Sequence, residues 1–457
     1  MRALAKKIRE LLILQSASAK VIGGFVLTLV AGGLLLWLPF SHQPGRVSLL
    51  DALFTSTSAV CVTGLAVVDT ARDYTLAGQL IILALIQLGG IGLMSYAAIA
   101  FKLVKKRLSL NAQAALYDSL LQHDFASEFS EIFWRLARIM VAIELLGAAV
   151  LFLGLLPAHE PLHALYSSIF HSVSAFCNAG FSIYSDNLMG LRDNHVFTAT
   201  LMVLIILGGI GDPVLLDLWK VFCRERGKKQ TGPSPFTLHT RVVVSTSAVL
   251  VIGGAGLLVL FGLTPAEKSW DHVVSGALFQ SVSARTAGFN TVDLGKLSLP
   301  SLMVMLILMF IGGSPGSCCG GIKTTTFTIM ISQLWALLHG RNWARIFGRH
   351  IPGDITRRAA MLIGIAIVWN LAGMVLLLTT ESGVIDGQMQ HVIFEQVSAY
   401  ATVGLSTGLT PKLSVAGKLW IMLSMLVGRL GPITIVLWMF TRESPKIQYP
   451  EGRVMIG

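Results

Sequence analysis

FHSVSAFCNAGF, residues 170–181, decides the reading of the whole chain because it recurs four times in recognisable form. The other copies are FTSTSAVCVTGL (54–65), FQSVSARTAGF (279–289) and FEQVSAYATVGL (394–405). Each opens with Phe, carries a Ser-Ala pair four residues later, and closes on Gly followed by Leu or Phe. Ser and Gly are six residues apart in the first, second and fourth copies and five apart in the third. The closing glycines, Gly64, Gly180, Gly288 and Gly404, are spaced by 116, 108 and 116 residues. A period of that kind marks one supersecondary unit used four times in parallel.

The sequence between the copies is apolar. Of the 457 residues, 54% are hydrophobic and 13% charged, which is outside the range of a soluble domain. Crossing a bilayer takes roughly 20 apolar residues. Stretches of that kind occupy 21–38, 78–101, 139–156, 196–218, 242–263, 299–330, 359–378 and 419–440. The expected fold is an all-α integral membrane protein. Each copy lies between two such stretches, and the segment leading into it is too short to cross, which predicts a re-entrant pore helix. Asp51, Asp271 and Asp386 stand near the starts of three of these helices, where a carboxylate caps free N–H groups and meets the positive end of the dipole. In the second copy His163 is the nearest polar residue.

The net charge of +11 invites a nucleic-acid reading, but its placement argues otherwise. Segments 1–20, 102–138, 220–241, 335–358 and 441–457 hold 25 of the 35 Lys and Arg. This positive-inside bias predicts that both termini are cytoplasmic. Residues 1–20 read as a basic amphipathic interfacial helix rather than a cleaved signal. The five cysteines, Cys61, Cys177, Cys223, Cys318 and Cys319, have neither disulfide-framework nor zinc spacing, and vicinal Cys318 and Cys319 read as packing residues rather than a soft-metal site. The sequence has no GxxxxGK[ST] and no HExxH, so no enzyme signature competes.

A second glycine repeat follows each copy by 24 to 28 residues: GGIG at 89–92, GGIG at 208–211, GGSPG at 312–316 and GRLG at 428–431. The first two read as close helix contacts. The third expands into GGSPGSCCGGIK, Gly312 to Lys323, which cannot be unbroken helix. Irregular backbone at membrane depth is tolerated only where protein buries it or it lines a water-filled cavity, so this segment marks a conduction path or a gate. Four loops around a shared axis would supply the backbone carbonyls that replace an ion's hydration shell, and glycine allows the close approach that this needs. Among ionisable groups at this depth, Arg285 is expected to point behind its loop to Glu395 or Asp293. Glu144 reads as a paired or snorkelling residue near the end of its span, and Lys323 as a marker of the cytoplasmic end of the broken helix or a snorkelling one.

These residues resemble the Ktr/Trk/HKT superfamily of potassium transporters, and the resemblance runs from about residue 21 to 440. No additional helix pair fits before the first unit, so the chain is most similar to the bacterial Ktr-type membrane subunit. The resemblance implies four consecutive helix–pore-loop–helix units in a pseudo-fourfold pore, at 21–101, 134–221, 241–334 (with a broken second helix) and 357–440. These lie between an N-terminal segment 1–20 and a C-terminal segment 441–457. It implies a selectivity filter lined by Val62, Thr63 and Gly64; Asn178, Ala179 and Gly180; Thr286, Ala287 and Gly288; and Thr402, Val403 and Gly404, with K+ held at the filter glycines. Plant relatives that favour sodium often carry Ser at the first glycine, so four glycines imply potassium. Gly312, Gly313, Ser314, Pro315, Gly316, Ser317, Cys318, Cys319, Gly320, Gly321 and Lys323 match an intramembrane gating loop. Arg429 matches an Arg that projects towards that loop, as an electrostatic barrier or as a latch on its carbonyls. Asp212 departs from the apolar residue usual at its position.

The resemblance further implies a homodimer in the bacterial inner membrane and a cytoplasmic ring of nucleotide-binding RCK subunits. No covalent cofactor is implied, and some relatives need sodium as an activator. The competing reading is a sodium-coupled secondary transporter, whose folds carry inverted or twofold repeats rather than four parallel ones.

Overall fold

The computed structural model describes residues 17–91, 129–222, 236–263, 270–383 and 388–431. Within them one arrangement recurs four times: a first helix, a short helix, an extended loop and a second helix. The first set is α1 (Ala17–Trp37), α2 (Leu49–Val60), the single turn α3 (Thr70–Asp73) and α4 (Leu76–Gly90). The second is α5 (Phe129–Leu155), α6 (Pro161–Phe176), α7 (His195–Gly209) and α8 (Asp212–Phe222). The third is α9 (Leu238–Phe261), α10 (Trp270–Ser283), α11 (Leu299–Phe310) and α12 (Thr324–Leu338). A hairpin of β1 (Arg345–Ile346) and β2 (Arg349–His350) leads to α13 (Gly353–Thr380), α14 (Met389–Tyr400) and α15 (Val415–Leu430). Asp386, Cys223, the N-terminal segment before residue 17 and the C-terminal segment lie outside the described residues.

Among the described residues, three helices are long and apolar enough to cross a membrane: Trp134–Leu155, Leu238–Phe261 and Gly353–Thr380. The pair α7 and α8 makes a fourth if counted as one span, although it bends by 104°. That bend corrects the expectation of a continuous stretch over 196–218. Gly211 has φ +91, a left-handed angle that ends α7, and Pro213 stands in the first turn of α8, where its missing N–H costs nothing. The break expected in the third set is present as the irregular segment between α11 and α12.

Local sequence explains where each second helix begins. Thr75, Asn194, Ser298 and Ser414 each accept the N–H three residues on, from Gly78, Phe197, Ser301 and Gly417. A side-chain acceptor there satisfies one of the helix's free donors. The short helices are anchored by the Phe that opens each motif copy: Phe54, Phe170, Phe279 and Phe394 are all buried. Two residues later, Ser56, Ser172 and Ser281 donate to the first-helix carbonyls of Leu29, Glu144 and Val251 at 2.7, 2.6 and 2.8 Å. Room for this contact comes from Gly32, Gly147 and Gly254, where a Cβ would fall within 3 Å of those hydroxyls, and Gly373 makes the same room for Gln396.

Each second helix then packs on the short helix of the following set: α4 on α6, α7 on α10, α11 on α14, and α15 back on α2. The last contact closes a ring. It is pinned by Lys418 Nζ donating to Asp51 Oδ1 at 2.8 Å, with both side chains largely covered. Asp51 also forms a capping box with Ser48 at the start of α2.

Candidate functional site

The ring brings the four glycine loops together. A Cβ on Gly180 would stand 2.8 Å from the Ala287 carbonyl oxygen, and one on Gly288 2.5 Å from that of Val403. On Gly64 and Gly404 it would collide with the carbonyl oxygens of Ala179 and Thr63. Each loop therefore abuts the next in the order first, second, third, fourth and back to first. No side chain fits at any of the four positions.

The backbone alternates in hand through every loop. Val62, Asn178, Thr286 and Thr402 have φ of +55, +57, +72 and +50, and the glycines two residues on have +93, +69, +80 and +91. Left-handed angles cost a β-branched residue about 1–2 kcal/mol. Three of the four non-glycine positions are β-branched, so the surroundings hold this conformation against intrinsic preference. Alternating hand turns successive peptide planes the same way, which gives neighbouring carbonyls one shared side and suits cation coordination. The hydroxyls of Thr63, Thr286 and Thr402 are buried without a hydrogen-bond partner.

The shortened third copy keeps this register. In the first, second and fourth copies the motif Ser carbonyl accepts the N–H five residues on: Thr63 to Ser58 at 2.7 Å, Ala179 to Ser174 at 2.7 Å, Val403 to Ser398 at 2.8 Å. In the third, Ala287 donates to Ser283 at 2.9 Å, four residues on. The deletion is absorbed in the last turn of α10, and the three loop residues remain equivalent to those of the other copies.

The second glycine repeat packs these helix ends. A Cβ on Gly89, Gly208 or Gly428 would collide with the carbonyl of Val60, Phe176 or Tyr400, the last residue of α2, α6 or α14. The reading of the first two copies as close contacts holds, and the fourth behaves alike. The Asn178 carboxamide, with its nitrogen donating to Ile205 O and its oxygen accepting from Gly209 N, both at 3.2 Å, inserts into the last turn of α7.

Residues 311–323 touch all three other sets. Ser314 N donates to Gly209 O at 3.1 Å, and Asp212 N donates to Gly316 O at 3.0 Å, so the segment docks on the break between α7 and α8. Cys318 Sγ donates to Gly90 O at 3.1 Å, and a Cβ on Gly320 would meet Thr402 and Ala401. Arg429 is buried, and its guanidinium donates to the carbonyls of Cys318 and Gly89, bonding the segment to α4. Lys323 Nζ donates to Cys319 O at 2.5 Å. Lys323 thus turns back onto the segment instead of snorkelling away. Among the described residues, no group of three or more His, Cys, Asp or Glu side chains is placed to hold a metal ion.

Two expectations need correction. Arg285 is buried but pairs with neither Glu395 nor Asp293. Glu395 is occupied by Ser406 at 2.5 Å, Thr407 N at 3.1 Å and Thr410 at 2.6 Å, and Asp293 by Lys296 at 3.1 Å. The Glu395 carboxylate is better matched by three donors of the following loop than by a guanidinium reaching around the third. Glu144 is neither exposed nor near the end of its span. It is 6% exposed in the interior of α5 and accepts both bonds of Gln87 Nε2, at 3.2 and 3.1 Å. Sequence reasoning also missed the first-helix glycines, although Gly32, Gly147, Gly254 and Gly373 precede the loop glycines by 31 to 34 residues, in step with the repeat.

Comparison with known proteins agrees with this geometry. The chain is 36% identical to the Ktr system potassium uptake protein B of Bacillus subtilis, over 95% of each chain. It is 35% identical to the potassium/sodium uptake protein NtpJ of Enterococcus hirae, over the full length of both. The crystal structure of the potassium transporter TrkH from Vibrio parahaemolyticus superposes with a TM-score of 0.73 at 20% identity, covering 94% of this chain and 86% of that one. That likeness speaks to the fold alone. The model of the TrkH family, described as cation transport protein, matches residues 14–449. A ring of four abutting glycine loops in an apolar helical chain, together with this match over nearly its whole length, makes the chain a member of the TrkH family of membrane cation transporters, not an enzyme.

Proposed function

We propose that the chain conducts potassium ions across a bacterial cytoplasmic membrane, through a passage lined by the four glycine loops. The observation that carries this reading is the cyclic contact of Gly64, Gly180, Gly288 and Gly404, each against its neighbour's carbonyl. The ion is coordinated by backbone oxygens of Val62, Thr63 and Gly64 and of their counterparts at 178–180, 286–288 and 402–404. Alternating backbone hand and the orphan threonine hydroxyls favour these positions. Potassium is favoured over sodium because a relative named for potassium uptake alone matches over 95% of the chain and because all four loops keep glycine; the relative that matches at full length is named for both ions. The architecture is four helix–pore-loop–helix units, at 21–101, 134–221, 241–334 and 357–440, with eight spans and both termini cytoplasmic.

Residues 312–321 and Lys323 act as the gate beneath this passage. Arg429 serves as its latch, since two carbonyls from different sets share one guanidinium. A cation at this depth is expensive unless it has a role. The working unit is a homodimer with a cytoplasmic nucleotide-binding ring of RCK type. Four parallel repeats argue against a sodium-coupled secondary transporter with an inverted repeat. The test is growth and ion uptake of a potassium-uptake-deficient cell expressing the chain, with and without such a ring. Restored growth at low potassium is expected, and sodium uptake without any potassium uptake would overturn the reading.

A further inference from the structure

The stretch between α12 and α13, HGRNWARIFGRHIPGDITRR (339–358), carries five arginines and one carboxylate, Asp354. It folds as a hairpin, with Arg345 opposite His350 and Ile346 opposite Arg349. Phe347 and Gly348 form its tip at φ +48 and +80, a two-residue turn of the kind that matches strand twist. The hairpin is fixed in place. Ala344, Ile346 and Ile351 are buried with Val242 of α9, Ile351 N donates to Ala344 O at 3.0 Å, and Arg241 lies 4.5 Å over the Phe347 ring.

Beside it is a cleft of about 420 Å³, whose polar wall includes Gln333, Asn342, Trp343, His350, Thr356 and Arg357. Arg341, Arg345, Arg349 and Arg357 are exposed, and no carboxylate among the described residues pairs with them. The last turns of α12 leading into the cleft present Leu334, Trp335, Leu337 and Leu338, each more than half exposed, as an apolar surface. Arg357 lines the cleft and Arg345 shares the hairpin face of cleft-lining His350, while Arg349 lies on the opposite face with Ile346; the cleft therefore sits where an apolar helix surface meets two unpaired arginines with aromatic rings between, the level at which a phospholipid headgroup lies.

We infer that the cleft between the hairpin and the start of α13 binds the headgroup phosphate of an anionic phospholipid. The inference rests on the proposed orientation, which puts this hairpin in the cytoplasmic leaflet. Acyl chains lie along Leu334, Trp335 and Leu338, and the phosphate is held by Arg357 of the cleft wall, with Arg345 on the hairpin face that carries His350. A soluble partner ring competes for the same positive charge, but it has no use for the exposed leucines on the same edge.

The test is native mass spectrometry of the purified full chain titrated with dioleoyl-phosphatidylglycerol or dioleoyl-phosphatidylcholine. The wild type is expected to retain the anionic phosphatidylglycerol in preference to the zwitterionic phosphatidylcholine. At roughly fivefold per arginine near an anionic headgroup, the double variant Arg345→Gln, Arg357→Gln loses that preference by roughly twenty- to thirtyfold, whereas Arg349→Gln, on the other face of the hairpin, leaves it nearly unchanged. The corresponding double Lys variant keeps most of it. Unchanged retention in the Gln variant would overturn the inference. So would displacement of the lipid by an equal concentration of glycerol phosphate, which would indicate a site for the free anion. A Gln variant that lost only the binding of a soluble ring would also overturn it, in favour of a protein interface. Lipid retention is read without any transport, so this inference and the proposed conduction can fail separately.

Discussion

Replacing Gly288 with Ala tests whether the abutting loops set ion selection. The new Cβ would lie 2.5 Å from the Val403 carbonyl oxygen, 3.1 Å from Gly180 Cα and 3.3 Å from Gly404 Cα. Real Cβ contacts do not fall below 3.0 Å, so the Val403 oxygen must withdraw by about 0.5 Å, while the second loop, at Gly180, also stands against the new Cβ. The substitution also strains the backbone, since φ is +80. Gly408, just beyond the fourth loop, isolates that second effect: its φ is +92, and a Cβ there meets nothing within 4 Å. Both variants should lose about 1–2 kcal/mol of stability from left-handed strain. Only Gly288→Ala should change the ratio of potassium to sodium flux, measured by tracer uptake into proteoliposomes. Equal loss of selection in both variants, or none in Gly288→Ala, would refute the claim that contact between the loops positions the coordinating oxygens.

Three further outcomes follow from the same geometry. Arg429→Ala removes charged donors to Cys318 and Gly89, each worth roughly 1.5–3 kcal/mol, so flux in the absence of any ring should rise about tenfold or more; a fall with the fold intact would indicate a binding role instead. Glu144→Ala leaves the partly buried Gln87 amide without its acceptor and should cost roughly 1–3 kcal/mol by thermal unfolding, whereas Glu144→Gln should cost far less; equal losses would show that the contact does not matter. The Asp51 carboxyl is held below its ordinary value, because hydrogen bonds from Lys418 and Ser48 outweigh the burial that alone would raise it. A carboxyl depressed on folding contributes stability at neutral pH that is lost as pH falls through its folded value, so the melting temperature should drop more steeply below about pH 4 in the wild type than in Lys418→Met, and parallel curves would contradict this.

The order of elements and the four loops were legible because the motif Phe, Ser-Ala and Gly answer to one geometry, a buried anchor, a helix end and a left-handed turn. Asymmetry was harder to read. The GGIG at 208–211 ends in a 104° bend between α7 and α8, where Asp212 and Pro213 follow it and the Asn178 side chain enters the last turn of α7; the chain after the GGIG at 89–92 lies outside the described residues. The third copy is one residue shorter, and the missing residue is taken up by exchanging a five-residue hydrogen bond for a four-residue one. Side-chain pairing was the least legible part. Charge alone matched Arg285 with Glu395, whereas the carboxylate is claimed by Ser406, Thr407 and Thr410 of its own set, which are nearer along the chain. The hairpin at 345–350 was not legible, because Phe-Gly lacks the usual turn residues, and its arginines had been read only as a count of charge.

The central claim is that the ring of glycine loops selects potassium. The most direct measurement is rubidium tracer uptake by the purified chain in proteoliposomes, with unlabelled potassium or sodium as competitor. Potassium should suppress uptake at concentrations where sodium has little effect, and equal suppression by the two ions would contradict the account.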